Sequence, residues 1–388
     1  MKAKILFCLM LLILGSCSLV VVGQDDYWFQ KGIKTKNPDK KIEYFTKSIE
    51  MEGAKAETYL QRGDVYWSLA IHAAYHTRTV IIGFNVDDVE LHNAKLRYDK
   101  AREDYTKAIM IDPTCIKAYM GRSDVYQQLG QKDEALADLS HLIQVDSNNA
   151  KWYLKRGSMY SNDFRDAEKS LPDLSKAIEI DSNYIGAYHV RGRAYYRLRQ
   201  YEKAMADYSK LIEIDPNDAY AYCYRGDIYT RTGHYDKAIS DYTRTIEIDR
   251  KYFMAYNNRG EVYLRQSEYE KALGDFDKAI SLQLPDFPIA CNNKGYIYLQ
   301  QDKIDLAIQN FNKSLSINNE SISPNVNLAI AYYMQADKTN AKSYLNQAKT
   351  LEPRLQNGMD GINALMDEGY YWTEQDKETL AKMFVEFK

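Results

Sequence analysis

Between residues 219 and 232, Tyr222, Arg225, Gly226 and Tyr229 fall three and four positions apart. Between 236 and 248, Ala238, Tyr242, Thr245 and Ile246 do the same. That spacing puts each set on one face of a helix. The stretch joining them, "RTGHY", holds Gly233, and glycine commonly stops a helix. After the second stretch, one copy of the pattern carries Pro216 and another Pro113. Proline has no N–H to donate and cannot continue a helix, so the second helix ends there. The pattern predicts helix, turn, helix, turn.

The same block recurs along the chain. "RGDVYWSL" starts at Arg62, "RSDVYQQL" at Arg122, "RGSMYSND" at Arg156, "RGRAYYRL" at Arg191, "RGDIYTRT" at Arg225, "RGEVYLRQ" at Arg259 and "KGYIYLQQ" at Lys294; from Arg122 the intervals are 34, 35, 34, 34 and 35 residues. A second motif keeps step, as in "EKAMADYSKLIEIDP" and "DKAISDYTRTIEID". A fixed period near 34 residues is the mark of a repeat architecture, in which each unit buries its apolar face only by stacking on its neighbours.

The residues carrying the pattern resemble tetratricopeptide repeats: an aromatic at position 4, a small residue at 8, Tyr at 11, Ala at 20, an aromatic at 24, Ala at 27 and Pro at 32. Tyr188, Gly192, Tyr195, Ala204, Tyr208 and Pro216 fill these slots in one unit, and Tyr256, Gly260, Tyr263, Ala272, Phe276 and Ala279 in another. The resemblance implies an all-α fold, a right-handed α-α superhelical solenoid of helix pairs closed by a C-terminal capping helical segment. It assigns about eight to nine units to residues 26–355 and the cap to 356–388. It also implies a concave face lined by the first helices, on which such proteins hold partner segments.

Several stretches depart from the repeat. The first unit is three residues short between its helices. The second carries a 26-residue insertion near 70–97, which predicts two overlong helices with an apolar tip, "VIIGF" (80–84). His72, His76 and His92 cluster there, but "HAAYH" lacks the glutamate of the zinc-protease motif and no further ligand is fixed; no metal is expected. Pro172 falls inside a second helix, which must either start late, with Ser170 as its cap, or kink. Near the C-terminus "TEQD" (373–376) resembles a capping box, and Leu380, Met383, Phe384 and Phe387 form an apolar stripe expected to cover the last repeat.

The two Arg-Gly-Asp triplets, 62–64 and 225–227, lie inside predicted first helices, where an adhesion tripeptide could not be presented on a loop. Each arginine is expected to reach an aspartate ending a nearby second helix, such as Asp215 or Asp249.

Composition narrows the function classes. The net charge of −3 lacks the basic excess of nucleic-acid binders, so no nucleic-acid partner is expected. Lys2 and Lys4 precede the apolar run "ILFCLMLLIL", the order of an export signal. It ends either after residue 23 or before Cys17, because "LGSC" resembles the lipobox in which the cysteine is lipidated; left uncleaved, the 18 residues from Ile5 to Val22 just suffice to span a bilayer as an anchor. All three predict an extracytoplasmic chain, periplasmic or anchored in the cell envelope. Cys115, Cys223 and Cys291 are odd in number and widely spaced, which is no disulfide framework.

No phosphate loop, serine elbow or paired metal motif occurs, so neither catalysis nor a cofactor is expected. The candidate ligand groove instead consists of Lys151, Lys155, His189, Arg193, Tyr196, Arg197, Tyr220, Asp227, Arg231, Asn258, Glu261 and Arg265. Its arginines suit an acidic peptide, although arginines at helix C-termini also simply oppose the helix dipole. The sequence favours a protein-interaction scaffold of the bacterial cell envelope. The alternative is a glycan or peptidoglycan binder that uses Tyr196, Tyr220 and Tyr296 as stacking platforms beside Asn292 and Asn293.

Overall fold

The computed structural model describes residues 24–51, 54–80, 88–162, 165–282 and 287–387. The export signal, Cys17 and most of the 80–84 tip lie outside the described residues. Among those described, every regular element is helical and none is a strand, so the all-α expectation holds.

Nine hairpins follow one another: α1 (Gln24–Lys34) with α2 (Pro38–Ile49), α3 (Ala56–Val80) with α4 (Asp88–Ile111), α5 (Ile116–Gln128) with α6 (Lys132–Val145), α7 (Ala150–Asn162) with α8 (Ala167–Ile180), α9 (Ile185–Arg197) with α10 (Tyr201–Ile214), α11 (Ala219–Arg231) with α12 (Tyr235–Ile248), α13 (Phe253–Arg265) with α14 (Tyr269–Leu282), α15 (Pro288–Gln300) with α16 (Ile304–Ile317), and α17 (Ile322–Met334) with α18 (Lys338–Leu351). A 3-10 turn (Pro353–Asn357), α19 (Met359–Asp367) and α20 (Glu374–Glu386) complete the chain. The helices pack into two compact units, Met1–Ser182 and Asn183–Lys388. The first contains α1–α8 and the second α9–α20.

Within a hairpin the small residues set the approach of the two helices. A Cβ added at Gly226 would lie 2.8 Å from the Tyr242 ring, and one at Gly260 would lie 2.8 Å from Phe276. Ala238 and Ala272 on the facing helices are fully buried. In the third to ninth hairpins the turn between helices holds one residue with positive φ. Gly130 and Gly233 supply it in two hairpins, while Arg165, Arg199, Ser267, Asp302 and Ala336 adopt it at the equivalent positions of five others. The glycine seen in "RTGHY" is therefore one solution to a backbone requirement, not the signal itself.

The repeating arginine clamps the second to seventh hairpins, but not as the sequence suggested. Arg225 donates to Asp241 through Nε at 2.7 Å and Nη2 at 2.8 Å. Arg62–Asp104, Arg122–Asp138, Arg156–Asp173, Arg191–Asp207 and Arg259–Asp275 repeat this two-pronged pairing. The aspartate sits in the middle of the second helix, not at its end. Asp215 and Asp249 are engaged locally, each accepting from the backbone N–H two residues on, Asn217 and Lys251. The third arm of the arginine crosses to the preceding hairpin: Arg62 to Thr46 (2.9 Å), Arg156 to Ser140 (3.1 Å) and Arg259 to Thr243 (2.9 Å). Tyrosines stack on the guanidinium, such as Tyr222 on Arg225 and Tyr256 and Tyr263 on Arg259. Much of the tyrosine content is used in this way.

The acid of each Arg-Gly-Asp triplet has a partner too. Asp64 accepts from the Tyr105 hydroxyl at 2.8 Å and Asp227 from the Tyr242 hydroxyl at 2.6 Å. Each triplet is thus spent inside its hairpin: a clamp, a close approach and a hydroxyl acceptor.

The helices α3 and α4, which take up most of the insertion, run to 25 and 24 residues and pack on each other. His72 and His92 are exposed; the side chain of His76 lies outside the described residues. In α8, Asp166 rather than Ser170 is the N-cap, accepting from Lys169 N–H at 3.0 Å, so the helix does not start late and Pro172 lies within it. At the C-terminus Thr373 and Asp376 form the capping box of α20. Leu380, Met383, Phe384 and Phe387 are buried in one core with Leu328, Ala341 and Leu345 of the last hairpin.

Candidate functional site

The first helices of the second unit, α9, α11, α13, α15 and α17, present polar side chains that the clamps do not use. Six of the residues singled out in the sequence, Tyr196, Asp227, Arg231, Asn258, Glu261 and Arg265, line one cavity of about 530 Å³. They come from α9, α11 and α13, one hairpin after another, because a 34-residue period returns equivalent slots to the same face.

Three separate hydrogen-bonded sets, with groups of both charges, line the cavity. Arg231 ends α11 and donates through Nε to the Tyr196 hydroxyl at 2.6 Å. Asn258 donates to Asp227 at 2.8 Å, on the same oxygen that accepts from Tyr242. Arg265 donates to Glu261 at 2.8 Å. Burial pushes the Asp227 carboxyl up to about 6, against the hydrogen bonds from Tyr242 and Asn258 that favour its ionised form. Burial likewise pushes the Tyr196 hydroxyl up to about 12.

The other candidates sit elsewhere. His189 pairs with Asp218 at 2.7 Å and packs edge-on to Tyr220, which lies against Tyr224. Arg193 and Arg197 are on α9 and do not line this cavity. Lys151 and Lys155 belong to α7 in the first unit, where Lys155 is ion-paired with Asp124 and Lys151 lies 3.5 Å from the Met120 sulfur. Cys223 and Cys291 are buried and Cys115 is half-buried; all three are free thiols.

The chain's own C-terminal region crosses this face, a contact that the repeat periodicity does not reveal. The connection between α19 and α20, residues 368–373, runs past the first helices of four successive hairpins. Gly369, with φ of +111°, abuts the Arg231 guanidinium, and its carbonyl accepts from Arg265 at 3.4 Å. The Tyr371 ring lies 4.9 Å from the Arg265 guanidinium and edge-on to Tyr296. Trp372 is buried and donates through Nε1 to Asn327 at 2.8 Å. The Tyr296 hydroxyl accepts from Thr373 N–H at 3.1 Å and donates to Asp376. The connection also lines a second cavity of about 520 Å³, together with Asn292, Asn293 and Asn327 among others; Arg231, Glu261 and Gly369 line both cavities. The only trace in the sequence is an aromatic triplet, Tyr370, Tyr371 and Trp372, that follows a glycine and fits no helical period.

No helix among the described residues is long and apolar enough to cross a membrane, and no group of three or more metal-ligating side chains occurs among them.

Tetratricopeptide-repeat family models match residues 92–115, 116–149, 192–233, 226–267, 253–283 and 289–321, so repeats of this type are detected over these stretches. A curated relative, the TPR repeat-containing thioredoxin TDX of Arabidopsis thaliana, is 32% identical over 80 residues, 19% of this chain and 21% of that protein. The chain thus spans about a fifth of that relative's length. Among solved structures, MamA is 27% identical, with 43% of this chain and 91% of that one aligned at a TM-score of 0.41. YrrB, described as a TPR protein with an unusual peptide-binding site, is 25% identical over 52% and 99%, at 0.42. A tetratricopeptide repeat protein from Parabacteroides merdae is 18% identical over 72% and 98%, at 0.48.

Proposed function

We propose that the protein is a non-catalytic interaction scaffold that holds an extended segment of a partner protein on the first-helix face of residues 183–388. One observation carries this reading: the polar groups of three successive hairpins, Tyr196, Asp227, Arg231, Asn258, Glu261 and Arg265, stand outside the arginine–aspartate clamps and converge on a single cavity. A cavity with a few convergent polar groups is where a ligand gains orientation as well as affinity.

The ligand is not strongly acidic. Two carboxylates, Asp227 and Glu261, stand beside the two arginines and offset their field. Groups that accept from Arg231 and Arg265 without a full charge, such as backbone carbonyls, and aromatic rings that stack on a guanidinium fit better. A sugar-stacking role finds little support, since a sugar needs an open ring face and Tyr296 is 3% exposed with its hydroxyl engaged.

The scaffold works outside the cytoplasm in this reading, exported by residues 1–23 or retained in the envelope by a lipid on Cys17. The charge-then-apolar order of the N-terminus supports export. Labelled fatty acid should be incorporated by the wild type and not by Cys17→Ala if the lipid is present; unlabelled protein from both would leave the cleaved, soluble form.

The binding reading is tested by selecting displayed random peptides on the full chain. Selected peptides should bind at least tenfold more weakly to Arg231→Ala or Arg265→Ala, with far-ultraviolet circular dichroism unchanged. Peptides whose affinity ignores both arginines would refute it.

A further inference from the structure

We propose that residues 368–373 are an internal ligand, and that a partner binds by displacing them with a segment of the same chemistry: a residue with little or no side chain followed by aromatic side chains. This rests on the reading of the first-helix face as a binding site. A helix that only caps the end of a repeat stack needs to touch the last hairpin, and α20 does so through Leu380, Met383, Phe384 and Phe387. The connection before it goes much further. It reaches back to Arg231 on α11, 138 positions before Gly369, and to Arg265 on α13.

Its contacts are those of a bound peptide. A backbone carbonyl takes a guanidinium N–H at Gly369. An aromatic ring lies on the Arg265 guanidinium at Tyr371, and an indole N–H meets a side-chain amide at Trp372. The lack of a side chain at Gly369 is required: a Cβ there would lie 3.1 Å from the Arg231 Nη1, and its φ of +111° disfavours other residues. The connection borders both cavities, which share Arg231, Glu261 and Gly369.

Both ends of the connection are anchored without it. Ile362 and Leu365 hold α19 in the core, and the apolar stripe holds α20. Arg354 donates to Glu368 at 2.6 Å at its start, and the Thr373–Asp376 capping box fixes its end. Release of the middle therefore costs the contacts of Gly369, Tyr371 and Trp372 without unseating either helix. A tethered ligand acts at an effective concentration in the millimolar range, so it lowers the apparent affinity of any free segment by the fraction of open face it leaves.

The test uses a fluorescent, end-blocked synthetic peptide of residues 369–373, GYYWT, titrated by anisotropy into the full chain. Gly369→Ala and Tyr371→Ala loosen the internal segment in independent ways, and thermal melts check that both remain folded. We expect both to bind the peptide at least tenfold more tightly than the wild type, and adding Arg265→Ala to Gly369→Ala to abolish the gain. Equal, measurable affinity for wild type and both variants would overturn the competition while leaving the face a binding site. A gain that survives Arg265→Ala would place the peptide elsewhere and overturn it as well. Absence of binding to every form would overturn both this inference and the binding reading.

Discussion

Asp241, buried in the middle of α12, receives two parallel hydrogen bonds of 2.7 and 2.8 Å from Arg225 on α11. The guanidinium continues to Ser209 of the preceding hairpin at 3.5 Å. One side chain thus joins the two helices of its own unit and touches the unit before it. The clamp ends where the repeat changes. Lys294 and Asn310 stand at the equivalent positions of the eighth hairpin, and Leu328 and Tyr344 at those of the ninth, where α19 and α20 add to the core instead.

Removing one partner of the clamp leaves a buried charge without its counter-ion, which costs more than the pair contributes. Arg225→Ala and Arg225→Leu should both lower stability by about 3–5 kcal/mol. The leucine restores volume but does nothing for Asp241. The double variant Arg225→Leu/Asp241→Leu should recover most of the loss. Chemical denaturation of the four proteins in a double-mutant cycle checks this, and a double variant no more stable than the singles would contradict it.

Glycine substitutions separate close approach from helix propensity. Gly226→Ala places a Cβ 2.8 Å from the Tyr242 ring, and overpacking of this kind costs about 1–3 kcal/mol. Gly274 lies inside α14 with nothing within 4 Å of its added Cβ. Gly274→Ala should therefore stabilise the protein by about 0.5–1 kcal/mol, the helix-interior penalty of glycine relative to alanine. Thermal melts should shift in opposite directions for the two variants; a shift of the same sign would undo the packing argument.

Asp227 makes stability depend on pH. Its folded pKa of about 6, raised by burial, lies above the ~3.9 of an unfolded aspartate. The native state therefore binds the proton more tightly than the unfolded chain. The contribution of this proton to stability is fully present below pH ~4 and is lost as the pH rises through about 6. Asp227→Asn removes the titration and keeps an oxygen for Tyr242. From pH 4 to pH 7, the stability of the wild type relative to this variant should fall by about 1–3 kcal/mol. Parallel pH profiles would show that Asp227 does not titrate in this window.

Much of this architecture is legible in the residues because small side chains, tyrosines and arginines recur at fixed spacing, and a helix pair can form only where those slots coincide. Gly226 and Ala238 could be assigned to the helix–helix contact from spacing alone. The partner of Arg225 was misplaced because helix ends attract aspartates for local reasons, as Asp215 and Asp249 do. The better signal was also present: an aspartate 16 residues after Arg122, Arg191, Arg225 and Arg259 alike. The residues of the cavity were reachable through their repeat slots, whereas their neighbours were not. Arg265 and Gly369 are 104 positions apart, and a contact between a periodic array and a non-periodic segment leaves no spacing to read. Lys151 and Lys155 show the converse limit, since a shared slot does not reveal that Asp124 already holds one of them.

The account's central claim is that the first-helix face of residues 183–388 binds extended segments and that residues 368–373 occupy it in the free protein. Trp372, 2% exposed, reports on this directly. A full chain with Trp28, Trp67 and Trp152 replaced by phenylalanine keeps Trp372 as its only tryptophan. Its emission should be that of a buried indole when free. It should move to the longer wavelength of a solvated indole on saturation with a peptide selected on the chain, and show no such shift when Arg265→Ala is added. Saturating binding that leaves the Trp372 emission unchanged would contradict the claim.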